Sequence, residues 1–510
     1  MRLANPARGA ETLDWLDAMS GWLGVEVYST AWVGMVPDYH DPGRPAWPQT
    51  IDFVRKQQLA DGSWGTADIY FAHERTLATL SALQVLTRWP EDDPQDAERV
   101  WQGLKALAHM ANDLPGEAHP TMGFDLLFPF FRNTLAELLD DFDSSLWPPL
   151  DPIQQLVQAA ISSGPIEPDK PQGWWWFLEM LPGERLAAID EAILNRHGGI
   201  VISPAATAAY LAARRQAGAD CPRAAAYLEG LLEVGGGAVP GVWPADSSDQ
   251  IWGLYALSLA GIDPHCAALT PVIEALSASW QRDQAGLSNA SCFPVNDGDD
   301  TWLGYAVLEW AGRTPDSDQP GLDFWDPKGY FRGFCEEPAR INSVNLHALI
   351  ALRAQAGFPH RELAAQTADF LIERMGPQIP FDDQYHLSPF YATHRALIAF
   401  AGLRRTAAQH CLDFILSHQH PDGGWGWFGP ATREETAYCV LALHAAKKAG
   451  LAVDHMHFAQ ANRFFKRADL EAPYERLWIA KSLYALTGSI RAAVYAAQHI
   501  LNTSGGVCDE

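Results

Sequence analysis

The sequence predicts an all-α fold in which helix pairs curl into two closed α/α barrels. Three observations carry that reading: a recurring helical unit, glycine-rich turns between its copies, and few strand signals. The unit ends in an Ala-Leu-like signature and recurs around Glu74–Leu83, Asp249–Leu257, Asp300–Leu308, Val344–Leu352, Thr393–Phe400, Glu435–Leu443 and Leu477–Leu486. From Asp249 onward the copies lie roughly 43 to 51 residues apart, the period of a helix-pair repeat. Turns at Gly198-Gly199, Gly235-Gly236-Gly237, Asp283-Gln284-Ala285-Gly286 and Asp422-Gly423-Gly424 mark where helices stop and restart. Alternating β-branched runs and Asn-Gly hairpins are scarce, which argues against a sheet. A run of seven or eight units exceeds one ring of six, so two barrels side by side are expected. An open solenoid is the alternative, although the TPR consensus is absent.

At 510 residues the chain is too long for one ordinary core, which again favours two domains. It is 48% hydrophobic and 19% charged, the balance of a well-packed soluble protein. A formal charge of -26 argues against a nucleic-acid partner or an anionic membrane surface. An anionic substrate would therefore need a local basic pocket or a metal ion. The cysteines at 221, 266, 292, 335, 411, 439 and 508 form no C-x-x-C and no zinc spacing, as expected of reduced thiols in a cytosol. The first residues lack a signal-peptide core, and no apolar stretch is long enough to span a bilayer. A cytoplasmic protein with no integral membrane association is the expectation.

The chemistry begins at Asp297-Gly298-Asp299-Asp300, three carboxylates ahead of an apolar stretch at helical spacing (Leu303, Ala306, Val307, Trp310). Like charges this close cannot all ionise cheaply, so one pKa must rise and one proton must be retained. A retained proton on a carboxyl facing an apolar cavity makes a strong general acid. Taken alone, the same residues equally describe an exposed acidic loop or a cation ligand. The chain also carries 20 tryptophans, with patches at Gly173–Phe177 and Trp425–Phe428. These are core or stacking surfaces by default, and an aromatic-walled cavity would also suit a cationic intermediate.

Two segments share the order Gln-x3-Gly-x-Trp: Gln58 to Trp64 and Gln419 to Trp425. Their glycines permit a tight turn after a helix, which Gln and Trp can lock to the next helix. Together with the Asp-x-Asp-Asp run, these QW turns give the chain a resemblance to the class II diterpene cyclases of the bacterial βγ type, over nearly its whole length. Tyr28–Trp32, Gly123–Pro129, Ser203–Thr207, Val239–Pro244, Ser343–His347, Glu434–Tyr438 and Leu477–Tyr484 agree in order. The resemblance implies two α barrels with the active site between them: residues 1–20 as the first helix of the β domain, 21–264 as an inserted γ domain, and 265–510 as the rest of the β domain.

It further implies that the terminal alkene of geranylgeranyl diphosphate is protonated and the cation cyclises to a decalin, with the diphosphate retained. Asp299, the middle aspartate, would be the acid, with Asp297 and Asp300 as its supporting neighbours. Mg2+ is expected with the diphosphate, and Asp125 and Glu74 are its candidate ligands. Arg75 and Lys481 are candidate diphosphate contacts, with a buried structural ion pair as the other reading of Arg75. Where relatives carry Asp-Lys-Trp-His this chain has Asp383-Gln384-Tyr385-His386, so a basic residue is missing. In enzymes making ent-copalyl diphosphate an Asn follows the Pro of Val-Pro-Asn-Val and helps position a water base. Gly241 replaces it here, which points to a rearranged halimadienyl or kolavenyl (clerodane-type) product. His347 and Tyr484 are candidates for ending the reaction or steering the cation, and Trp302 for shielding it. A hydrogen-bonded core histidine and plain packing are the corresponding bland readings of His347 and Trp302. A class I terpene synthase or a phosphatase would act downstream.

Other functions stand beside this one. Copalyl diphosphate synthesis, a drimenyl diphosphate synthase acting on farnesyl diphosphate, and a squalene-hopene type cyclase all begin from the same acid. An α/α-barrel glycosidase also combines paired carboxylates with tryptophan platforms. A metal-ionising class I mechanism would need Asp-Asp-x-x-Asp, and Asp92–Asp96 matches it literally. That run lies beside Pro90 and Pro94, which disfavours a ligand-presenting helix, so an acidic loop is expected.

Overall fold

The computed structural model describes residues 21–89, 93–143, 145, 161, 164–283, 286–335 and 339–504. The expected helix over residues 1–20 and the first carboxylate of the run at Asp92 lie outside them. Helices start where the sequence supplies a cap or a proline. Asp297, Ser203, Ser388 and Thr432 cap helices with their side chains, and Pro48, Pro204, Pro222 and Pro389 open them.

The first part of the chain contains α1 (Val27–Gly34), α2 (Pro48–Lys56), α3 (Ala72–Arg88), α4 (Asp96–Asp113) and α5 (Phe124–Leu138). A 3₁₀ segment (Gly173–Met180) follows, then α6 (Gly183–Ala187), α7 (Pro204–Gln216) and α8 (Pro222–Val234). Within it α1, α3, α5, the 3₁₀ segment and α7 pack each against the next, and α7 closes on α1. Helices α2, α4, α6 and α8 pack on the outside of this ring.

The second part contains α9 (Asp246–Leu259), α10 (Thr270–Asp283), α11 (Gly298–Trp310), α12 (Gln319–Leu322), α13 (Asn342–Ala354) and α14 (Arg361–Glu373). It continues with α15 (Pro389–Phe400), α16 (Arg405–Ser417), α17 (Arg433–Lys448), α18 (His455–Arg467) and α19 (Thr487–Ser504). Helices α9, α11, α13, α15, α17 and α19 form a ring of six, each against the next, with α19 returning to α9. The outer layer is α10, α14, α16 and α18. Alternation of inner and outer helices is the physical content of the repeat. Inner helices such as α11 are buried all round from Gly298 to Leu308, whereas outer α18 buries one stripe (Phe458, Ala461, Phe465). Helix α9 falls within the 21–264 segment expected for the inserted domain, yet its packing partners are α11 and α19 of the second ring.

The described strands are two short antiparallel hairpins, β1 (Trp325–Asp326) with β2 (Tyr330–Phe331) and β3 (Trp478–Ile479) with β4 (Leu483–Tyr484). The two Gln-x3-Gly-x-Trp turns are built alike. Gln58 Nε2 donates to the Gly62 and Arg99 carbonyls at 3.0 Å each, and Gln419 Nε2 to those of Gly423 and His457 at 2.8 and 3.0 Å. The Trp64 and Trp425 indoles each donate to a carbonyl ten residues back at 2.7 Å. Gly423 sits at φ +100°, where a Cβ would lie 2.2 Å from the Gln460 carbonyl oxygen, so only glycine fits.

The β3–β4 hairpin joins the two halves of the chain. The ammonium of Lys481 donates to Glu179 Oε1 (2.5 Å), the Trp176 carbonyl (2.6 Å) and Ser203 Oγ (2.8 Å). Met122 N donates to the Ala480 carbonyl at 3.0 Å, and Arg476 to that of Val25 at 2.9 Å. Among the described residues no helix is long and apolar enough to cross a membrane.

Candidate active site

Asp297 is the N-cap of α11, its Oδ1 accepting the Asp300 amide at 2.8 Å, so Asp299 and Asp300 fall in the first helical turn. Gly298 lets this turn approach its neighbour: a Cβ there would sit 2.4 Å from the Arg332 carbonyl oxygen. All three carboxyls are buried, with Asp299 only 7% exposed. A helix N-terminus favours carboxylate charge by about 1 kcal/mol, but burial works the other way and is the larger effect. Burial drives the Asp299 carboxyl up to about 7, against a downward pull from the Arg395 guanidinium. Asp300 rises to about 7 through burial and the Asp299 charge, and Asp297 rises well above the carboxylate range through burial and the Asp300 charge. Asp297 therefore holds a proton against Asp300, whose Oδ1 also accepts from Ser248 Oγ on α9 at 2.8 Å.

His347, in the second turn of α13, meets the acid directly: its Nδ1 is 2.5 Å from Asp299 Oδ1. Burial first, then the charge of Arg395, pushes its pKa well below the usual histidine value, so the ring is neutral. Its Nε2 is buried without a partner. A bare lone pair there costs less than a bare N–H, which assigns the hydrogen to Nδ1. Nδ1–H thus donates to Oδ1, and the acid proton belongs on Oδ2. His347 is a partner of the acid, a contact the sequence reading did not foresee.

An aromatic wall continues from this pair. Trp252 of α9 meets His347 edge-on at 5.3 Å and donates from Nε1 to the Tyr391 hydroxyl at 2.8 Å. Trp478 lies 4.9 Å from Tyr391, 6.3 Å from Trp252 and 6.2 Å from Tyr484. Beyond it Glu434 Oε1 accepts from the Trp478 indole (2.8 Å), the Tyr438 hydroxyl (3.0 Å) and His386 Nε2 (3.2 Å). Ring faces of this kind attract positive charge without offering a nucleophile. Apart from His347 and Tyr484, these residues were not singled out from the sequence as individual site residues; the usable signal for Trp252, Tyr391, Glu434 and Tyr438 was their place in the first two turns of the inner helices, whereas Trp478 lies in β3 and His386 before α15.

The remaining sequence candidates are placed as follows. Tyr484 is half-buried beside the cluster; burial and then the charge of Asp300 raise its pKa. Trp302 is fully buried with Phe331 edge-on at 5.2 Å and Gly321 against its ring, which is the packing reading. Lys481 spends its three donors inside the protein, as described, and Arg75 is buried on Asp61 Oδ2 (2.9 Å), Ser63 Oγ (3.2 Å) and the Thr66 carbonyl (2.9 Å). Neither presents a free cation to a phosphate in this arrangement. Glu74 is buried, accepts the Thr66 amide on both oxygens at 3.1 and 3.2 Å, and is raised by burial to about 7. Asp125 is exposed in the first turn of α5. Among the described residues no group of three His, Cys, Asp or Glu side chains is arranged to hold a metal. Asp383 accepts from Ser343 N (2.8 Å) and Tyr385 N (2.9 Å), and Gln384 is half-buried next to it. Asp96 is bound by Arg55 (2.8 Å) and Arg99 (2.7 Å), so its carboxylate is a structural ion pair. Gly241 lies in the loop before α9, where an added Cβ would be 2.8 Å from Ser482 Oγ and 3.4 Å from Glu26 Oε1.

No family model matches the chain. It is similar to a type B diterpene cyclase of Mycobacterium tuberculosis, 27% identical over 502 residues, covering 96% of this chain and 97% of that one. An ent-copalyl diphosphate synthase of a Streptomyces species is 30% identical over 475 residues, 88% of this chain and 87% of the relative. Among solved structures, ent-copalyl diphosphate synthase from Streptomyces platensis superposes with a TM-score of 0.78 at 26% identity, covering 96% of this chain and 98% of that one. Taken with a buried carboxylic acid at an inner helix start, these likenesses establish that the chain belongs to the class II diterpene cyclases.

Proposed function

We propose that the protein protonates geranylgeranyl diphosphate at its terminal alkene and releases a rearranged bicyclic diphosphate of the halimadienyl or kolavenyl type. The observation that carries the initiating step is the Asp299–His347 contact, a buried acid whose conjugate base has a donor already aimed at it. As Oδ2 gives its proton to the alkene, the new charge on Asp299 is met by His347 Nδ1–H at no reorganisation cost. The substrate carbocation then folds against Trp252, Tyr391 and Trp478, and the diphosphate is retained throughout.

Gly241 supports the rearranged product. Gly241 has no side chain with which to hold a water as an Asn would, and Ser482 Oγ and Glu26 Oε1 stand close to where such a side chain would begin. A cation not quenched at once survives into hydride and methyl shifts. The likeness to ent-copalyl diphosphate synthases favours unrearranged copalyl diphosphate as the second reading. Incubation with geranylgeranyl diphosphate, followed by phosphatase treatment and analysis of the alcohol, separates the two: copalol would defeat the Gly241 reasoning.

Glu74 and Asp125 do not make a metal cage by themselves. Mg2+ is better carried on the diphosphate oxygens, with exposed Asp125 available to it. The inserted domain is proposed to end before α9, near Ala245, because α9 completes the ring of six. Free thiols at Cys221, Cys266, Cys292, Cys411 and Cys439 support a reducing, cytoplasmic setting. A class I terpene synthase or a phosphatase would consume the product.

A further inference from the structure

The ring of six places α17 three helices from α11 in either direction, so the two helices face each other across the barrel. Asp299 is the second residue of α11, and Glu434 is the second residue of α17. Glu434 thus stands at the position matching Asp299 on the opposite wall, with Glu435 at that of Asp300.

The Glu434 carboxyl has an asymmetric environment. Oε1 receives the Trp478 indole, the Tyr438 hydroxyl and His386 Nε2 at 2.8 to 3.2 Å. His386 Nδ1 accepts the Ser388 amide at 3.1 Å, so the ring hydrogen is on Nε2 and all three groups donate. Oε2 is buried and has no hydrogen-bond partner. Three donors on one oxygen hold the side chain in place and match anionic charge there, leaving the second oxygen as an unused acceptor. Glu435, next in sequence, does the structural work instead: it accepts from Ser388, Thr432 Oγ1 (2.8 Å) and the Trp427 amide (2.9 Å). The link to the acid site is the aromatic wall, since Trp478 touches both Glu434 and Trp252, and Trp252 touches His347.

We propose that Glu434 is the terminating base of this cyclase, taking the last proton on Oε2. The proposal rests on the cyclase reading above and supplies the base that Gly241 cannot help to position. A C–H bond beside the final cationic carbon breaks, its electron pair becomes the ring alkene, and the proton goes to Oε2. Asp299 has by then lost one proton and Glu434 has gained one, and both reset by exchange with solvent.

The test is product analysis of full-length Glu434→Gln with geranylgeranyl diphosphate and Mg2+, beside wild type. Expected is at least a tenfold loss of the wild-type product, with water-captured alcohols or isomeric alkenes appearing in its place. An unchanged product pattern, at whatever rate, would overturn the proposal, because a purely structural carboxyl has no means of selecting the alkene. If Glu434→Gln does not fold by circular dichroism, Glu434→Asp keeps the charge and draws it back by one carbon. Expected there is a partial redistribution toward isomeric alkenes, and an unchanged pattern again refutes the assignment. Wild type that leaves geranylgeranyl diphosphate untouched would refute the cyclase substrate reading and this assignment with it. Active wild type with an indifferent variant refutes the assignment alone.

Discussion

Replacing His347 by Phe removes the donor that faces Asp299 while keeping a ring of similar size in a fully buried position. His347 Nδ1 stands 2.5 Å from Asp299 Oδ1, so its hydrogen is in place before the carboxyl becomes an anion, when such a bond gains strength. Losing one such preorganised donor costs about 3 kcal/mol of transition-state stabilisation, or roughly a hundredfold in kcat. KM should hold within about twofold, because the contact gains strength only as the proton leaves. The pH profile adds a second readout. Asp299 must be protonated to act, and its carboxyl stands at about 7, so activity falls as pH rises through about 7. His347 Nδ1–H favours the carboxylate, so its removal raises that pKa and moves the basic limb upward by roughly one to two pH units. Steady-state assays with geranylgeranyl diphosphate across pH 5 to 10, on protein whose fold is checked by circular dichroism, measure both. A kcat within about threefold of wild type, or a slower enzyme whose limb stays near neutrality, would refute the pairing as described.

The other expected outcomes concern distinct parts of the molecule. Asp299→Asn should abolish turnover and leave the melting curve close to wild type; measurable cyclisation would remove Asp299 from its role as acid. Lys481→Met strands Glu179 as a buried unpaired carboxylate, a change that costs about 3 to 5 kcal/mol in comparable sites. The midpoint of thermal unfolding should fall while KM for the diphosphate substrate stays near wild type, whereas a large rise in KM without destabilisation would restore Lys481 as a phosphate ligand. Gly241→Asn must push Ser482 aside, since the new Cβ begins 2.8 Å from its Oγ. The variant should divert part of the product to unrearranged copalyl diphosphate, read as copalol after dephosphorylation.

How far the sequence reaches is visible in which contacts it supplied. The acid run and the two glycine turns were legible because each is made by residues within a few positions of one another. Asp297 caps the helix whose first turn holds Asp299, and Gln58 bonds the carbonyl of Gly62 in its own turn. The ring of six was legible as a period, since every repeat contributes one inner helix. Contacts between neighbouring inner helices and between the two halves of the chain were not. Asp299 meets His347 48 residues away, Asp300 meets Ser248 at a separation of 52, and Lys481 meets Glu179 at 302. Sequence spacing gives the start of a helix but not the azimuth of its first turn, and that azimuth decides which side chains share the barrel mouth. Lys481 and Arg75 meet the same limit: a cation in a family pattern reads as a phosphate ligand or as a structural ion pair until its acceptors are known. Both proved to be enclosed by carboxylates and carbonyls of the surrounding loops.

The geometry also explains why a chain with so many acidic residues can generate a carbocation without quenching it. The buried carboxyls at the starts of the inner helices are segregated by proton state and by partner. Asp299 is kept neutral by burial and keeps one oxygen toward His347; Asp297 and Asp300 share a proton and are tied to the α11 amide and to Ser248. On the far wall Glu434 has its charge matched by donors on one oxygen only. Between these ends stand Trp252, Tyr391 and Trp478; the Trp252 indole hydrogen points at the Tyr391 hydroxyl, that of Trp478 at Glu434, and His386 stacks on the Tyr391 ring. An acid at one end, a base at the other and indifferent π surface between them is the order a proton-in, proton-out cyclisation requires. Moving a carboxylate into the middle, as Trp252→Glu would, should trap the cation early and replace the bicyclic diphosphate with monocyclic or acyclic isomers. A Trp252→Glu enzyme that still made the wild-type bicycle would show that the wall does not line the path of the reaction.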